Sequence, residues 1–200
     1  METTVRQPRK RARGLVLAAV LISLAELTGW WCSRDGGLRL VAQVFHHPLL
    51  FGVLVVGLLT AAVFVGVRSL VVRILTGIAA GLAAVAAMPF FLFGLFGLTE
   101  ETSDRTAPGL TDRHLVIEEG SDMIDPLWWV YVDEGWGPTQ RRWKVGYFNG
   151  DDYTNGLYEA HWAGPNQIRL VTGDPAEGSQ VHLIDLDPET GKPLRTLTMG

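Results

Sequence analysis

The chain is poor in cysteine and lacks the short patterns that mark common enzyme classes. Cys32 is the single cysteine of 200 residues, which excludes an intramolecular disulfide and a cysteine-rich zinc site. There is no Gly-x-Ser-x-Gly, no His-Glu-x-x-His and no phosphate-binding glycine loop. No base lies beside Cys32 to activate its thiol as a nucleophile. We therefore predict that the protein is not an enzyme and has no catalytic residue, no cofactor and no metal.

Acidic residues are nearly missing from the first half of the chain. Residues 1–98 contain nine Arg or Lys and three Asp or Glu, a balance of +6, whereas residues 99–200 contain eight and eighteen, a balance of −10. The formal net charge of −4 is thus an average over two parts of opposite sign. With the apolar residues of the first half gathered in long uncharged runs, this pattern excludes a single soluble domain, a disordered chain and a basic nucleic-acid-binding protein.

Three runs in the first half have the length and composition of membrane spans. They are residues 14–31, with Glu26 as their one charge, and residues 49–67 and 74–98, with none. A hydrocarbon core of about 30 Å needs about 20 helical residues, and a helix on the surface of a soluble protein would show a charged stripe. The sequence predicts a three-span membrane domain at 14–98, surrounded by the lipid bilayer.

The distribution of cations around the spans predicts their orientation. Five Arg or Lys lie in the tail of residues 1–13, and two more lie in the loop between the second and third spans. Basic residues that flank spans stay on the cytoplasmic side, so we predict a multi-pass plasma-membrane protein with a basic cytoplasmic tail and an extracytoplasmic C-terminal half. A cleaved signal peptide is the alternative for the first span, although no small-x-small cleavage site precedes Trp30.

After the spans the sequence changes to short runs with period-two alternation. Residues 99–112 have no apolar period and are predicted as a linker, and residues 113–200 as an extracytoplasmic β domain. The predicted strands are 114–118, 127–132, 141–148, 157–162, 167–171, 180–186 and 193–198, and alternation places Trp143, Val145 and Tyr147 on one face. The predicted fold class is membrane α plus β: three transmembrane helices followed by a small antiparallel all-β domain, a sandwich or an open barrel.

Tryptophans and arginines in the β domain suggest a binding surface. Trp128 and Trp129 are adjacent and must face opposite sides of a strand, so one fills the core while the other is covered or forms a contact. The basic-aromatic segment 141–144 fits anionic headgroups or cell-wall polyanions, or equally a solvated strand face. The candidate surface for a membrane or envelope protein partner comprises Trp128, Trp129, Arg141, Arg142 and Trp143.

A second group of candidates lies in and beside the spans. Glu26 is an intramembrane carboxylate, which makes it a functional candidate, although its place near the end of the span suits a structural role. His46 and His47 precede the second span and suit either a helix start or an ion-linked role with Glu26. Gly77 and Gly81 form a Gly-x-x-x-Gly that favours close helix packing, within the chain or in a homo-oligomer.

Two further patterns have competing interpretations. Residues 185–191 alternate carboxylates like the start of a calcium loop, but glycine comes one position late and a β-hairpin turn accounts for the same residues. His161 and His182 lie on different predicted strands, and their meeting beside a carboxylate would be the minimal sign of an envelope enzyme.

The segment Trp162-Ala-Gly-Pro-Asn-Gln-Ile-Arg-Leu170 resembles a strand–turn–strand of small uncharacterised bacterial integral membrane proteins. The resemblance implies short N-terminal spans and a compact extracytoplasmic β domain, and transfers no activity and no residue role. The sequence therefore favours an integral membrane protein whose acidic β domain binds a partner protein or envelope component. The alternative is a small transport or ion-linked membrane component that uses Glu26 and His46/His47.

Overall fold

The computed structural model describes residues 6–96, 99–122, 125–152, 154–174, 176 and 178–199. The chain divides into two compact units. The helical unit comprises the described residues of Met1–Trp31 and Val44–Gly94, and the β unit those of Cys32–Gln43 and Leu95–Gly200. Residues 32–43, which lie between the first two predicted spans, belong to the β unit.

Four helices are present in the described part of the chain: α1 Arg6–Cys32, α2 Arg39–Phe45, α3 Pro48–Gly66 and α4 Leu70–Phe96. Three of them contain segments long and apolar enough to cross a membrane, namely Arg9–Cys32, Pro48–Gly66 and Leu70–Phe91. The three predicted apolar helices are therefore confirmed, each with shifted ends. The fixed φ of Pro48 suits the first position of α3. Helix α4 continues through Pro89 to Phe96, and the predicted third span ends at residues 97 and 98, outside the described residues.

Small residues bring the helices of the helical unit together. A Cβ added to Gly29 of α1 would lie 2.3 Å from the carbonyl carbon of Phe45, so only glycine fits there. Large apolar side chains on all three long helices point outward, and none of the described residues of Leu70–Phe91 is buried. Such a continuous apolar surface is unfavourable in water and is compatible with a lipid environment.

The β unit contains nine strands among the described residues. They are β1 Gly37–Leu38, β2 Glu100–Thr106, β3 Arg113–Asp122, β4 Asp125–Glu134, β5 Arg141–Asn149, β6 Leu157–Gly164, β7 Gln167–Thr172, β8 Gln180–Asp185 and β9 Leu197–Met199. One sheet has the order β1-β5-β4-β3-β2, and the other has the order β6-β7-β8. Neighbouring strands are antiparallel, except that β9 runs parallel to β5. An antiparallel β region is thus confirmed.

Both sheets contribute to one hydrophobic core. Val130, Val132 and Phe148 of the larger sheet are fully buried, as are Ile168 and Leu170 of the smaller sheet. The valines, the isoleucine and the phenylalanine suit strands because β-branched and aromatic side chains pack well on a pleated surface. Alternation along β4 places Trp129 and Asp133 on the face of the larger sheet opposite to Val130 and Val132.

Three features differ from the sequence-based expectations. The predicted linker 99–112 contains β2, whose polar residues are mostly exposed on an edge strand and so show no apolar alternation. Strand β1 lies in the segment predicted only as a loop. Tyr147 does not share a face with Trp143 and Val145, because a β-bulge in β5 shifts the register.

Candidate functional site

The five residues of the predicted binding surface do not form one surface. Trp128 and Trp143 pack against the core, and the Trp143 Nε1–H donates to the Thr190 carbonyl at 3.0 Å. Trp129 lies on the opposite face of the sheet, where its ring is 5.6 Å from that of Tyr147. The prediction that the two adjacent tryptophans face opposite sides is confirmed.

Arg142 lies on the face of Trp129 and is held in an ion-pair network around Asp133. Asp133 is fully buried, and its carboxylate accepts hydrogen bonds from Arg142 Nε at 2.8 Å and from Arg39 Nη1 at 2.6 Å. Arg39 also pairs with Glu101 at 2.7 Å, and Arg142 pairs with Glu118. The network thus pairs the guanidinium groups of Arg39 and Arg142 with carboxylates of the fold.

Residues 32–43 contribute several of the contacts around this network. Arg39 is one of them, as is Gly36, whose N–H donates to the Arg142 carbonyl at 2.8 Å. Asp35 accepts a hydrogen bond from the Lys144 N–H at 2.7 Å. Residues 32–43 of the loop between the first two apolar helices are therefore an integral part of the β unit, and Arg39 contacts the face of the sheet that carries Trp129. Alternation along β4 places Asp133 on the same face as Trp129. A carboxylate at that position of an apolar strand is a sequence signal for a cationic partner on that face.

Two groups of this network, Tyr131 and Arg142, have pKa values above their ordinary values. Burial, with the nearby Glu118 carboxylate, raises the pKa of Tyr131 to about 12. Burial lowers the pKa of Arg142, but hydrogen bonds and charges from Asp133 and Glu118 outweigh it and raise that pKa. The Arg142 guanidinium also lies 4.7 Å from the centre of the Tyr131 ring. A group that does not titrate near neutrality suits a structural role better than acid–base chemistry.

Arg113 forms a second buried cluster, which the sequence did not reveal. Its side chain is 1% exposed. Nε donates to Glu134 at 2.5 Å, Nη1 to the Asn166 amide oxygen at 2.5 Å and to the Pro165 carbonyl at 3.3 Å, and Nη2 to the Pro188 carbonyl at 3.0 Å. Arg113 thus joins β3 of the larger sheet to two turns of the smaller sheet.

A cavity of about 270 Å³ opens at one end of the β unit. Aromatic rings and carboxylates line it together: Trp128, Tyr158, Asp152 and Asp174. Gly156 also lines it, and a Cβ added there would be in ordinary contact with the Trp128 ring at 3.5 Å. Of these residues, sequence reasoning identified only Trp128.

The two carboxylates of the cavity are positioned by their own loops. Asp152 Oδ1 accepts the Thr154 N–H at 3.1 Å, and Asp174 Oδ1 accepts the Ala176 N–H at 2.8 Å. Carboxylates beside aromatic faces attract a cationic group, through charge and through the negative face of the ring. The cavity therefore has the chemistry to receive an ammonium or guanidinium group.

Glu26 meets both histidines in the helical unit. Its Oε2 accepts the backbone N–H of His47 at 3.2 Å, and its Oε1 lies 3.6 Å from His46 Nδ1. Because His47 immediately precedes α3, the carboxylate satisfies an N–H at the start of that helix. The predicted grouping of Glu26 with His46 and His47 is present, and its geometry supports the structural interpretation directly.

The two histidines of the smaller sheet do not share a site. His161 is opposite Arg169 of β7, whereas His182 is opposite the next residue, Leu170, so the two side chains lie on opposite faces. His182 Nε2 is 3.2 Å from Thr172 Oγ1 on the core side. Within the described residues, no group of three His, Cys, Asp or Glu is placed to hold a metal ion.

Asp187 closes a turn in the segment that resembled a calcium loop. Its Oδ1 accepts the N–H and the hydroxyl of Thr190 and the N–H of Glu189, and these hydrogen bonds, that of the Thr190 N–H foremost, lower the Asp187 pKa. Leu186 and Pro193 form an antiparallel bridge across the turn. The hydrogen bonds therefore favour the hairpin interpretation.

The two glycines of the Gly-x-x-x-Gly differ in their surroundings. A Cβ on Gly77 would lie 3.8 Å from the Phe64 ring of α3, whereas one on Gly81 would have no atom of the described chain within 4 Å. Gly77 thus contributes to packing within the chain, and Gly81 leaves an open position on α4.

No protein-family model matches the sequence, and no curated protein or solved structure matches it. The segment 162–170 that carried the resemblance forms the end of β6, a turn and most of β7. Its Asn166 and Pro165 accept hydrogen bonds from Arg113, which gives these residues a structural role.

Proposed function

We propose that the chain is a multi-pass plasma-membrane protein whose β unit lies outside the cytoplasm and binds a partner there. The three apolar helices and the basic residues around α1 and between α3 and α4 support this topology. In this proposal the two sheets form a sandwich rather than an open barrel, and the protein binds rather than catalyses. Reporter fusions after Arg73 and after Gly200 should report cytoplasm and exterior respectively, and the opposite result contradicts the topology.

The observation that carries the binding function is the cavity lined by Trp128, Tyr158, Asp152 and Asp174. Its volume of about 270 Å³ lies just below the range of about 300–1,000 Å³ of small-molecule pockets, so it suits one side chain or headgroup. The balance of −10 over residues 99–200 adds long-range attraction for a positive partner. The proposed partner is a membrane protein or envelope component that presents a cationic group.

The test uses the full chain and substitutions that preserve the loops. Asp152→Asn with Asp174→Asn keeps each Oδ1 acceptor and removes both charges. Asp151→Asn, in the same loop but outside the cavity lining, is the control. A lysine-bearing peptide should bind the wild type and the control, and bind the double variant about tenfold or more weakly, because each charged contact contributes more than about 1 kcal/mol. Equal binding by all three proteins contradicts the proposal.

A photo-crosslinking amino acid at position 158 tests the same site in cells. Position 181 on β8 is the matched control, since Tyr158 and Val181 are 63% and 52% exposed. We expect an adduct at position 158 that is lost with Asp152→Asn and Asp174→Asn. An adduct that forms equally at both positions, or that survives both substitutions, contradicts a specific contact at the cavity.

A second candidate function rests on the contact between Glu26 and His46. The Glu26 carboxylate lies 3.6 Å from His46 Nδ1, within ion-pair distance, and in this candidate the two groups form the ionisable site that an ion-linked component requires. Glu26→Gln retains an oxygen to accept the His47 N–H but removes the ionisable group. A proton or metal flux in proteoliposomes that is lost in this variant supports the second candidate, and a flux that is unchanged eliminates it.

A further inference from the structure

An apolar groove runs between α1 and α3 at the basic end of the helical unit. Its volume is about 640 Å³, within the range of pockets that hold small molecules. Apolar side chains of both helices line it, among them Val16, Leu59 and Val63, together with Arg9 and Arg13. The groove is therefore apolar along its walls and cationic where α1 begins.

Close contact between small residues sets the shape of the groove. A Cβ added to Gly66 of α3 would lie 2.9 Å from the Ala12 Cβ of α1, and both residues line the groove. Ala62, which also lines it, is buried. The helices thus meet at small side chains, while larger ones on either side leave a concave surface. In a bilayer such a surface is filled by an acyl chain, because a void would lose dispersion contacts.

The charges at this end have no carboxylate partner in the described part of the chain. Arg9 and Arg13 are four residues apart on one face of α1, and neither forms an ion pair there. Arg73 brings a third guanidinium near this end, since its Nε donates to the carbonyl of Val67, which lines the groove. Guanidinium groups match phosphate in charge and geometry.

We propose that this groove binds one anionic phospholipid, with its phosphate on Arg9 and Arg13 and an acyl chain along Val16, Leu59 and Val63. A cationic pocket between membrane helices is the kind of site that retains anionic headgroups. A free phosphate would use the arginines but leave the apolar walls uncovered. A zwitterionic lipid would fill the walls but add no net negative charge to balance the arginines.

The test is native mass spectrometry of the full chain in detergent, with phosphatidylglycerol and phosphatidylcholine of identical acyl chains as probes. We expect phosphatidylglycerol to form a one-to-one adduct in preference. Arg9→Gln with Arg13→Gln should weaken that adduct roughly 30-fold, from the typical contribution of two arginines near anionic lipid. The control Lys10→Gln with Arg11→Gln removes the same charge from exposed residues outside the groove and should change binding less than about threefold.

A second pair of variants tests the apolar walls without changing charge. Val63→Trp fills the groove, whereas Val53→Trp places the same bulk at a 61% exposed position of α3 outside it. Loss of the adduct in Val63→Trp alone supports the proposal. The proposal is overturned if the two double charge variants lose the adduct equally or if the wild type retains the two lipids equally. It is also overturned if Val63→Trp still forms the adduct. A protein dimer in place of a lipid adduct, dissociated by Val63→Trp, also overturns it, because the occupant would be a second copy.

Discussion

Replacing Arg113 by methionine should be among the most destabilising single changes in the β unit. The arginine side chain is 1% exposed and donates to Glu134, Asn166, Pro165 and Pro188. Methionine fills a similar volume but donates nothing, so a carboxylate and three oxygens lose their donor. Glu134 retains 19% exposure, which allows partial rehydration of its charge.

The size of the effect follows from how much of the cluster can be rehydrated. Removing one partner of a buried ion pair costs about 3–5 kcal/mol, because the other charge stays buried without compensation. Since Glu134 is partly exposed, we expect the lower part of that range, about 3 kcal/mol. That is a large fraction of the roughly 5–15 kcal/mol by which a domain is stable.

Denaturant unfolding of the full chain in mixed micelles, followed by tryptophan fluorescence, measures this loss. Arg141→Met removes an exposed arginine and should change the free energy of unfolding by less than about 0.5 kcal/mol. Adding Glu134→Gln to Arg113→Met should recover about 1 kcal/mol or more, because it removes the orphaned charge. A loss below about 1 kcal/mol for Arg113→Met would refute the view that this cluster joins the two sheets.

Three further changes test other contacts. Arg39→Ala should destabilise the β unit by about 1–3 kcal/mol in the same assay, because fully buried Asp133 loses one of its two arginine partners. An unchanged free energy of unfolding contradicts the conclusion that residues 32–43 are part of the β unit. Gly29→Ala should lower the stability of the helical unit by about 1–3 kcal/mol, as read by circular dichroism, while Gly57→Ala, with no described neighbour within 4 Å, should not. Raising the pH from about 10 to about 12 should lower the free energy of unfolding of the wild type by about 2 kcal/mol more than that of Tyr131→Phe. The pKa of Tyr131 is about 12 in the folded state, so its contribution to stability is present below about pH 10 and is lost as the folded protein's Tyr131 ionises. Equal losses in the two proteins contradict this prediction.

The predictable parts of the fold are those whose signal is local. Each apolar helix was evident because a run of about twenty uncharged residues is long enough to span a bilayer and longer than most buried core helices. Strand β4 was evident because residues 127–132 are a run of mostly β-branched and aromatic residues. The opposite orientation of Trp128 and Trp129 followed from the pleat alone.

The missed parts depend on residues that are distant in the sequence. Strand β2 is polar on both faces, so only its pairing with β3 identifies it. The bulge in β5 reverses the face of Tyr147 and cannot be seen in a period-two pattern. The partners of Arg113 lie 21 to 75 residues away, so nothing near it indicates a buried guanidinium.

The loop between the first two apolar helices makes the β unit dependent on two separated stretches of chain. The chain enters the β unit after Trp31 and returns to the helical unit at Val44. Between these points β1 pairs with β5, and Arg39 forms an ion pair with Asp133. It enters the β unit again at Leu95, near the end of α4. A fragment that begins at residue 99 therefore lacks β1 and leaves the buried Asp133 with Arg142 as its single arginine partner among the described residues. Since a buried carboxylate that loses a partner is destabilising, we expect the fragment that begins at residue 99 to be less stable than a β unit that retains residues 32–43.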